Sequence, residues 1–174
     1  THGAVQGISA VISSLIEHGD EVLVFEPAWP TVNSLITING ATPVSVPSMD
    51  ESRLIDSFSE LITEKTKALY VNSPNNPTGK CISPKTFRKI IDIADKNDLY
   101  VISDEVYRFF QYEGEPLPCD RFNYRKFILV DSFSKKHCMT GWRIGYVSAS
   151  KDIISKVGKA SQVGITYVAP FVQQ

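Results

Sequence analysis

The stretch DSFSKKHCMTGWRIGY, Asp131 to Tyr146, gathers two lysines, a histidine, a cysteine and an arginine around Gly141, directly after the apolar run FILV. A lysine in a loop just past a buried strand, if desolvated there, has an amine nucleophilic toward a carbonyl. Lys135 and Lys136 both qualify on residue chemistry, and the ordinary alternative for either is a solvated surface lysine. Arg143 offers a planar fork that matches a phosphate, with a surface ion pair as its ordinary alternative.

Other chemistry-bearing residues follow apolar runs in the same way. Trp29 comes after EVLVF, Asn76 after KALYV, Asp104 and Tyr107 after LYVIS, and Ser132 and Lys135 after KFILV. An aspartate ending a buried strand is costly without compensation, so Asp104 is expected to have a cationic partner. Gly3 and Ala4 open the first helix, where small residues let backbone N–H groups and the positive helix end approach an anion. Core packing for Trp29 and Tyr107, and turn chemistry for Asn76, are the plainer alternatives.

Familiar signatures are missing. The GK at Gly79 and Lys80 has Pro74 where a P-loop needs glycine and Cys81 where it needs serine or threonine. There is no GxGxxG, GxSxG or HExxH, and His2, His18 and His137 are too scattered for a metal cluster, so no metal is expected.

The elements that must position these residues alternate. Ile8, Val11, Ile12, Leu15 and Ile16 have the spacing of a helix with one buried face, which Gly19 is placed to end. Then come a strand at Glu21–Phe25, a helical stretch toward Gly40, a short strand TPVSVP and a short helix LIDSFSELIT. KALYV leads into the turn-rich NSPNNPTG. Ser83 and Pro84 are suited to cap and open a helix that buries Phe87, Ile90, Ile91 and Ala94 and ends near Asn97. Runs that are continuously apolar imply strands covered on both faces, and their alternation with helices implies an α/β fold with a mostly parallel sheet. In such a sheet, ligands bind outside the carboxyl ends of the strands, so the separate loops are expected to converge on one crevice. Gly141 is expected to leave room for the turn between Ser132 and Arg143.

The chain has 174 residues, 43% hydrophobic, enough for one domain with a sizeable core. Its 18 basic and 19 acidic residues, in no long blocks, argue against nucleic acid or an anionic membrane as partner and favour small molecules. Cys81, Cys119 and Cys138 form no CxxC pair and fit free thiols in a reducing, cytoplasmic setting. No apolar stretch reaches the roughly 18 residues that span a bilayer. The opening helix without a charged leader, and the ending TYVAPFVQQ, lead us to expect the middle of a longer protein.

Taken in order, GA at a helix start, PAWP, NSPNNPTGK, SDEVY and SFSKKHCMTGWRIGY resemble the class I aminotransferases among fold type I pyridoxal-phosphate (PLP) enzymes. The resemblance covers essentially the whole chain. It implies a three-layer α/β/α, aspartate aminotransferase-like large domain over residues 1–174, with an N-terminal segment and a C-terminal small domain outside it. It implies transfer of an amino group from an amino acid to a 2-oxo acid by a ping-pong, Schiff-base mechanism. Lys135, directly after a serine, becomes the Schiff-base lysine and Lys136 its neighbour. Asp104 pairs with the pyridinium nitrogen, Asn76 and Tyr107 hold the phenolic oxygen, and Trp29 stacks on the ring. Ser132, Arg143 and the backbone of Gly3 and Ala4 take the phosphate. Lys135, Asp104 and Tyr107 are thus the expected catalytic residues. His137 and Cys138 replace an aromatic and a small residue more usual in the family, at positions with no assigned role. A homodimer is implied for the full-length protein, and little or no turnover for this portion alone. The alternatives are a lyase of the same fold, of C-S lyase or aminocyclopropane-carboxylate synthase type, and a non-catalytic module.

Overall fold

The computed structural model describes residues 1–173. Helices and strands alternate as α1 (Gly3–Leu15), β1 (Glu21–Glu26), α2 (Thr31–Ile38), β2 (Thr42–Pro47), α3 (Glu51–Glu60), β3 (Thr66–Asn72), α4 (Pro84–Lys96), β4 (Tyr100–Asp104), β5 (Phe127–Ser132), β6 (Gly145–Ala149) and α5 (Lys151–Ile165). The six strands form one sheet in the order β2-β1-β3-β4-β5-β6. All neighbours are parallel except β6, which runs antiparallel to β5.

The continuous apolar runs become central strands because alternate residues feed two different cores. Val22, Val24, Tyr70, Ile102, Ile128 and Val130 meet Ile8, Val11 and Ile12 of α1, with α2 and α5 on the same side. Leu23, Phe25, Leu69, Val71, Val101 and Leu129 meet Leu54 and Phe58 of α3 and Phe87, Ile90 and Ala94 of α4. The result is a three-layer α/β/α sandwich. Trimming one of these large side chains to alanine costs about 2–5 kcal/mol.

Local signals fix the helix that follows β3. The Ser83 hydroxyl accepts from the Thr86 amide at 3.2 Å and Pro84 is the first helical residue. Such a cap is worth about 1 kcal/mol.

Three details differ from the sequence reading. α1 ends at Leu15, with Ile16 already extended and packed into the core, and Gly19 (φ +91°) instead shapes the turn into β1. Ile91 is only half-buried, so α4 seals its core with Phe87, Ile90 and Ala94. β6 and α5 have weak signatures, because an edge strand is only partly covered and α5 buries just Ile153 and Val157. Among the described residues no helix is long and apolar enough to cross a membrane.

β1 lies between β2 and β3, so the chain leaves it in one direction and returns on its other side. The loops after β1 and β3 therefore part, and open a crevice at the carboxyl end of the sheet.

Candidate active site

A cavity of about 210 Å³ occupies this crevice, bounded by the first turn of α1 and the loops after β1, β3, β4 and β5. Trp29, Asn76, Asp104, Tyr107, Ser132, Lys135, Arg143 and Ala4 all line it. Gly3 stands just behind, with Arg143 against it.

Asp104 ends β4 and is only 5% exposed. Its Oδ2 accepts from the Tyr70 hydroxyl at 2.7 Å and its Oδ1 from the Val106 amide at 3.2 Å. Burial pushes its carboxyl up to about 6, against the two hydrogen bonds, with Asp131 and Glu105 adding to the rise. No protein cation meets it: among the described residues Asp104 makes no ion pair. The side chain is held by neutral donors and faces the cavity with its charge uncompensated. That arrangement suits a ligand cation or a protonated ring nitrogen.

The two lysines part company. Lys135 lines the cavity, with its Nζ 5.4 Å from the centre of the Tyr107 ring, whereas the Lys136 Nζ lies 3.6 Å from the centre of the Phe109 ring. Lys135 is exposed. His137 and Cys138 are exposed, His137 stacked on Phe133, and neither lines the cavity.

Anion-holding groups collect at the α1 end. No side chain caps α1, so its first-turn amides and positive end face the cavity around Ala4. The Gly3 amide is engaged by the Thr1 carbonyl at 2.9 Å, which leaves Gly3 a steric role. Its φ is +73°, and a Cβ there would collide with the Arg143 guanidinium. That guanidinium donates to the Thr140 carbonyl at 2.8 Å and the His2 carbonyl at 3.4 Å, which aims it across the mouth of α1. Arg143 itself is left-handed, φ +53°. Gly141 has open space where a Cβ would go; the glycine that close packing demands is Gly145, where a Cβ would stand 2.7 Å from the Gly3 carbonyl carbon.

The sequence reading passed over several groups. Asn72 pairs with Asp104 in register, donates to its carbonyl at 2.9 Å and accepts from the Asn76 amide at 2.7 Å, tying the two loops together. Its signal was a polar residue closing an apolar run. Asp131 accepts from Ser132 N at 2.7 Å, from Tyr146 at 2.8 Å and from Arg108 at 3.1 Å, which fixes the start of the lysine loop. Ser134 and Thr140 also line the cavity. Of the cysteines, Cys81 and Cys138 are free, and the Cys119 side chain lies outside the described part.

A larger cavity, about 760 Å³, lies at the opposite end of the sheet, near Tyr100 and Lys126 at the starts of β4 and β5. Several of its rim charges are paired with each other, as in Arg88–Asp120, Arg125–Asp152 and Lys126–Asp98, and none of the residues expected to do chemistry lines it. The smaller cavity is the one with converging, uncompensated groups. Among the described residues no cluster of metal-ligating side chains occurs.

Comparison with known proteins agrees along the whole length. The profile of aminotransferase class I and II matches residues 1–173. The (5-formylfuran-3-yl)methyl phosphate transaminase of Methanocaldococcus jannaschii is 39% identical over 100% of this chain and 45% of its own length. The aspartate aminotransferase of Pyrococcus horikoshii is 37% identical over 99% of this chain and 45% of its own. A mutant aspartate aminotransferase of Thermus thermophilus, 32% identical, superposes with a TM-score of 0.94 over 99% of this chain and 48% of its own. The chain thus spans about half the length of the relatives it matches.

Proposed function

We infer the function from one premise: this chain belongs to the aminotransferase class I and II family. Residues 1–174 form the cofactor-binding large domain of a longer PLP-dependent enzyme, which moves an amino group from an amino acid to a 2-oxo acid in a ping-pong cycle. The protein works in the cytoplasm as a homodimer.

The groups lining the cavity fit PLP. When bound, it supplies an electron sink for the pair released as a substrate Cα loses its proton. Asp104 keeps the ring nitrogen protonated, and a cation placed against it lowers its carboxyl from about 6. Asn76 and Tyr107 hold the phenolic oxygen, and Trp29 covers one face of the ring. Ala4, Ser132 and Arg143 hold the phosphate, while Gly3 gives Arg143 the space to reach it. The Lys135 amine is the covalent attachment point and, when free, carries the proton away from the substrate Cα.

The observation that carries this reading is Asp104, a buried carboxylate with no ion-pair partner among the described residues, lining the cavity that Lys135 also lines. The test is amino-group transfer by the full-length protein, with a panel of amino donors and 2-oxoglutarate. PLP-dependent formation of glutamate supports the reading. Ammonia and a 2-oxo acid released without any acceptor identify a lyase instead and contradict it.

A further inference from the structure

Tyr70 stands behind the site and does not line the cavity. It is the one polar side chain among the core residues Ala68 to Val71 of β3, 1% exposed, opposite Ile102 of β4. A phenylalanine would fill the same space without burying a hydroxyl, and a buried hydroxyl is costly unless bonded. Its partner is the Asp104 Oδ2 at 2.7 Å, while the Val106 amide reaches Oδ1 at 3.2 Å. The last torsion of an aspartate is broad, so donors on both oxygens define the plane of the carboxylate. A carboxylate offers about four lone-pair sites, so two donors leave capacity for a ligand on the cavity side.

Several charged groups bear on Asp104. Asp131 of β5 and Glu105, next in the chain, disfavour its ionised form, while Tyr70 and the Val106 amide favour it. Lys135 and Tyr107 line the same cavity.

We propose that Tyr70 is a positioning residue that, from behind the cavity, holds the Asp104 carboxylate ionised and oriented toward the bound ring. This rests on the reading of Asp104 as partner of the ring nitrogen. Tyr70 touches neither substrate nor cofactor and acts through Asp104 alone.

The test is Tyr70→Phe in the full-length protein, read first without cofactor. The Asp104 carboxyl is titrated by isotope-edited infrared spectroscopy, its band assigned with Asp104→Asn. Loss of a hydrogen bond to a charged group raises the midpoint by about 1–2 pH units. The acid limb of PLP affinity, followed by quenching of tryptophan fluorescence, moves up by the same amount, and Tyr70→Phe adds nothing in the Asp104→Asn background. A residue that merely fills the core would lower the melting temperature and leave the Asp104 midpoint where it was; that result overturns the proposal. Should Tyr70→Phe not fold, 3-fluorotyrosine introduced at position 70, a stronger donor, lowers the midpoint, and an unmoved midpoint overturns the proposal equally. Failure of the unsubstituted protein to bind PLP at any pH overturns the functional reading instead, because the titration is made on cofactor-free protein.

Discussion

Gly145 packs so tightly against Gly3 that a methyl group on it would stand 2.7 Å from the Gly3 carbonyl carbon, and 2.9 Å from the Asp131 carbonyl oxygen. The start of β6 is thereby pressed onto the start of α1 and the end of β5, beside the α1 end of the cavity. Gly145→Ala is expected to cost at least about 1–3 kcal/mol of stability, since the obstacles are backbone atoms. Gly141→Ala, facing open space without a positive φ, is expected to stay within about 0.5 kcal/mol. Urea unfolding of the two variants checks this, and equal midpoints would contradict it.

Arg143 is expected to act on the phosphate alone. Arg143→Gln should weaken PLP binding roughly tenfold or more, as expected for losing charge-assisted hydrogen bonds. Affinity for pyridoxal, which lacks the phosphate, should be unchanged. Fluorescence titration with both ligands measures the difference, and equal losses for the two would remove Arg143 from the phosphate site.

Asp104 makes stability and function oppose each other. Its folded-state carboxyl sits near 6, above the ordinary 3.8. The folded state therefore binds the extra proton between those values, and stability falls as pH rises through about 6. The ionised carboxylate costs the cofactor-free protein about 3 kcal/mol above that range. Asp104→Asn is expected to raise the melting temperature of cofactor-free protein at pH 8 and to lose that advantage below pH 4, while PLP affinity drops at pH 8. A melting temperature lowered at pH 8 would show that the carboxylate is not the liability described here.

Glu105, the next residue, has a different environment. Its carboxylate meets Arg121 at 3.0 and 3.1 Å, both side chains are buried, and Arg121 also donates to the carbonyls of Leu117 and Pro118. Arg121→Met leaves Glu105 buried and unpaired, and should cost about 3–5 kcal/mol. An unfolding midpoint close to that of the parent would show the pair to be dispensable.

Much of this was legible in the sequence, for identifiable reasons. The runs EVLVF, KALYV, LYVIS and KFILV could be read as covered strands because both faces of each meet a helix layer, and the polar residues just after them fall at one sheet edge by parallel topology. Tyr70 was not legible. A tyrosine in an apolar run reads as core, and the direction of its hydroxyl depends on how β3 pairs with β4. Asp104 illustrates the converse: burial and the need for a cationic partner were foreseen, but not the two neutral donors that hold the side chain. Gly145 was hidden behind Gly141, four residues earlier in the same motif, because only the packing of β6 on α1 reveals which glycine lacks room. Residue chemistry left Lys135 and Lys136 open and the family resemblance chose Lys135; the loop turns one amine to Tyr107 and the other to Phe109.

That choice supplies the most direct measurement. The full-length protein is incubated with PLP and reduced with borohydride, and the modified residue is located by peptide mass spectrometry. The arrangement of the cavity predicts the label on Lys135, abolished by Lys135→Ala and retained in Lys136→Ala. Label on Lys136, or none on the full-length protein, would contradict the assignment of this cavity as a PLP site.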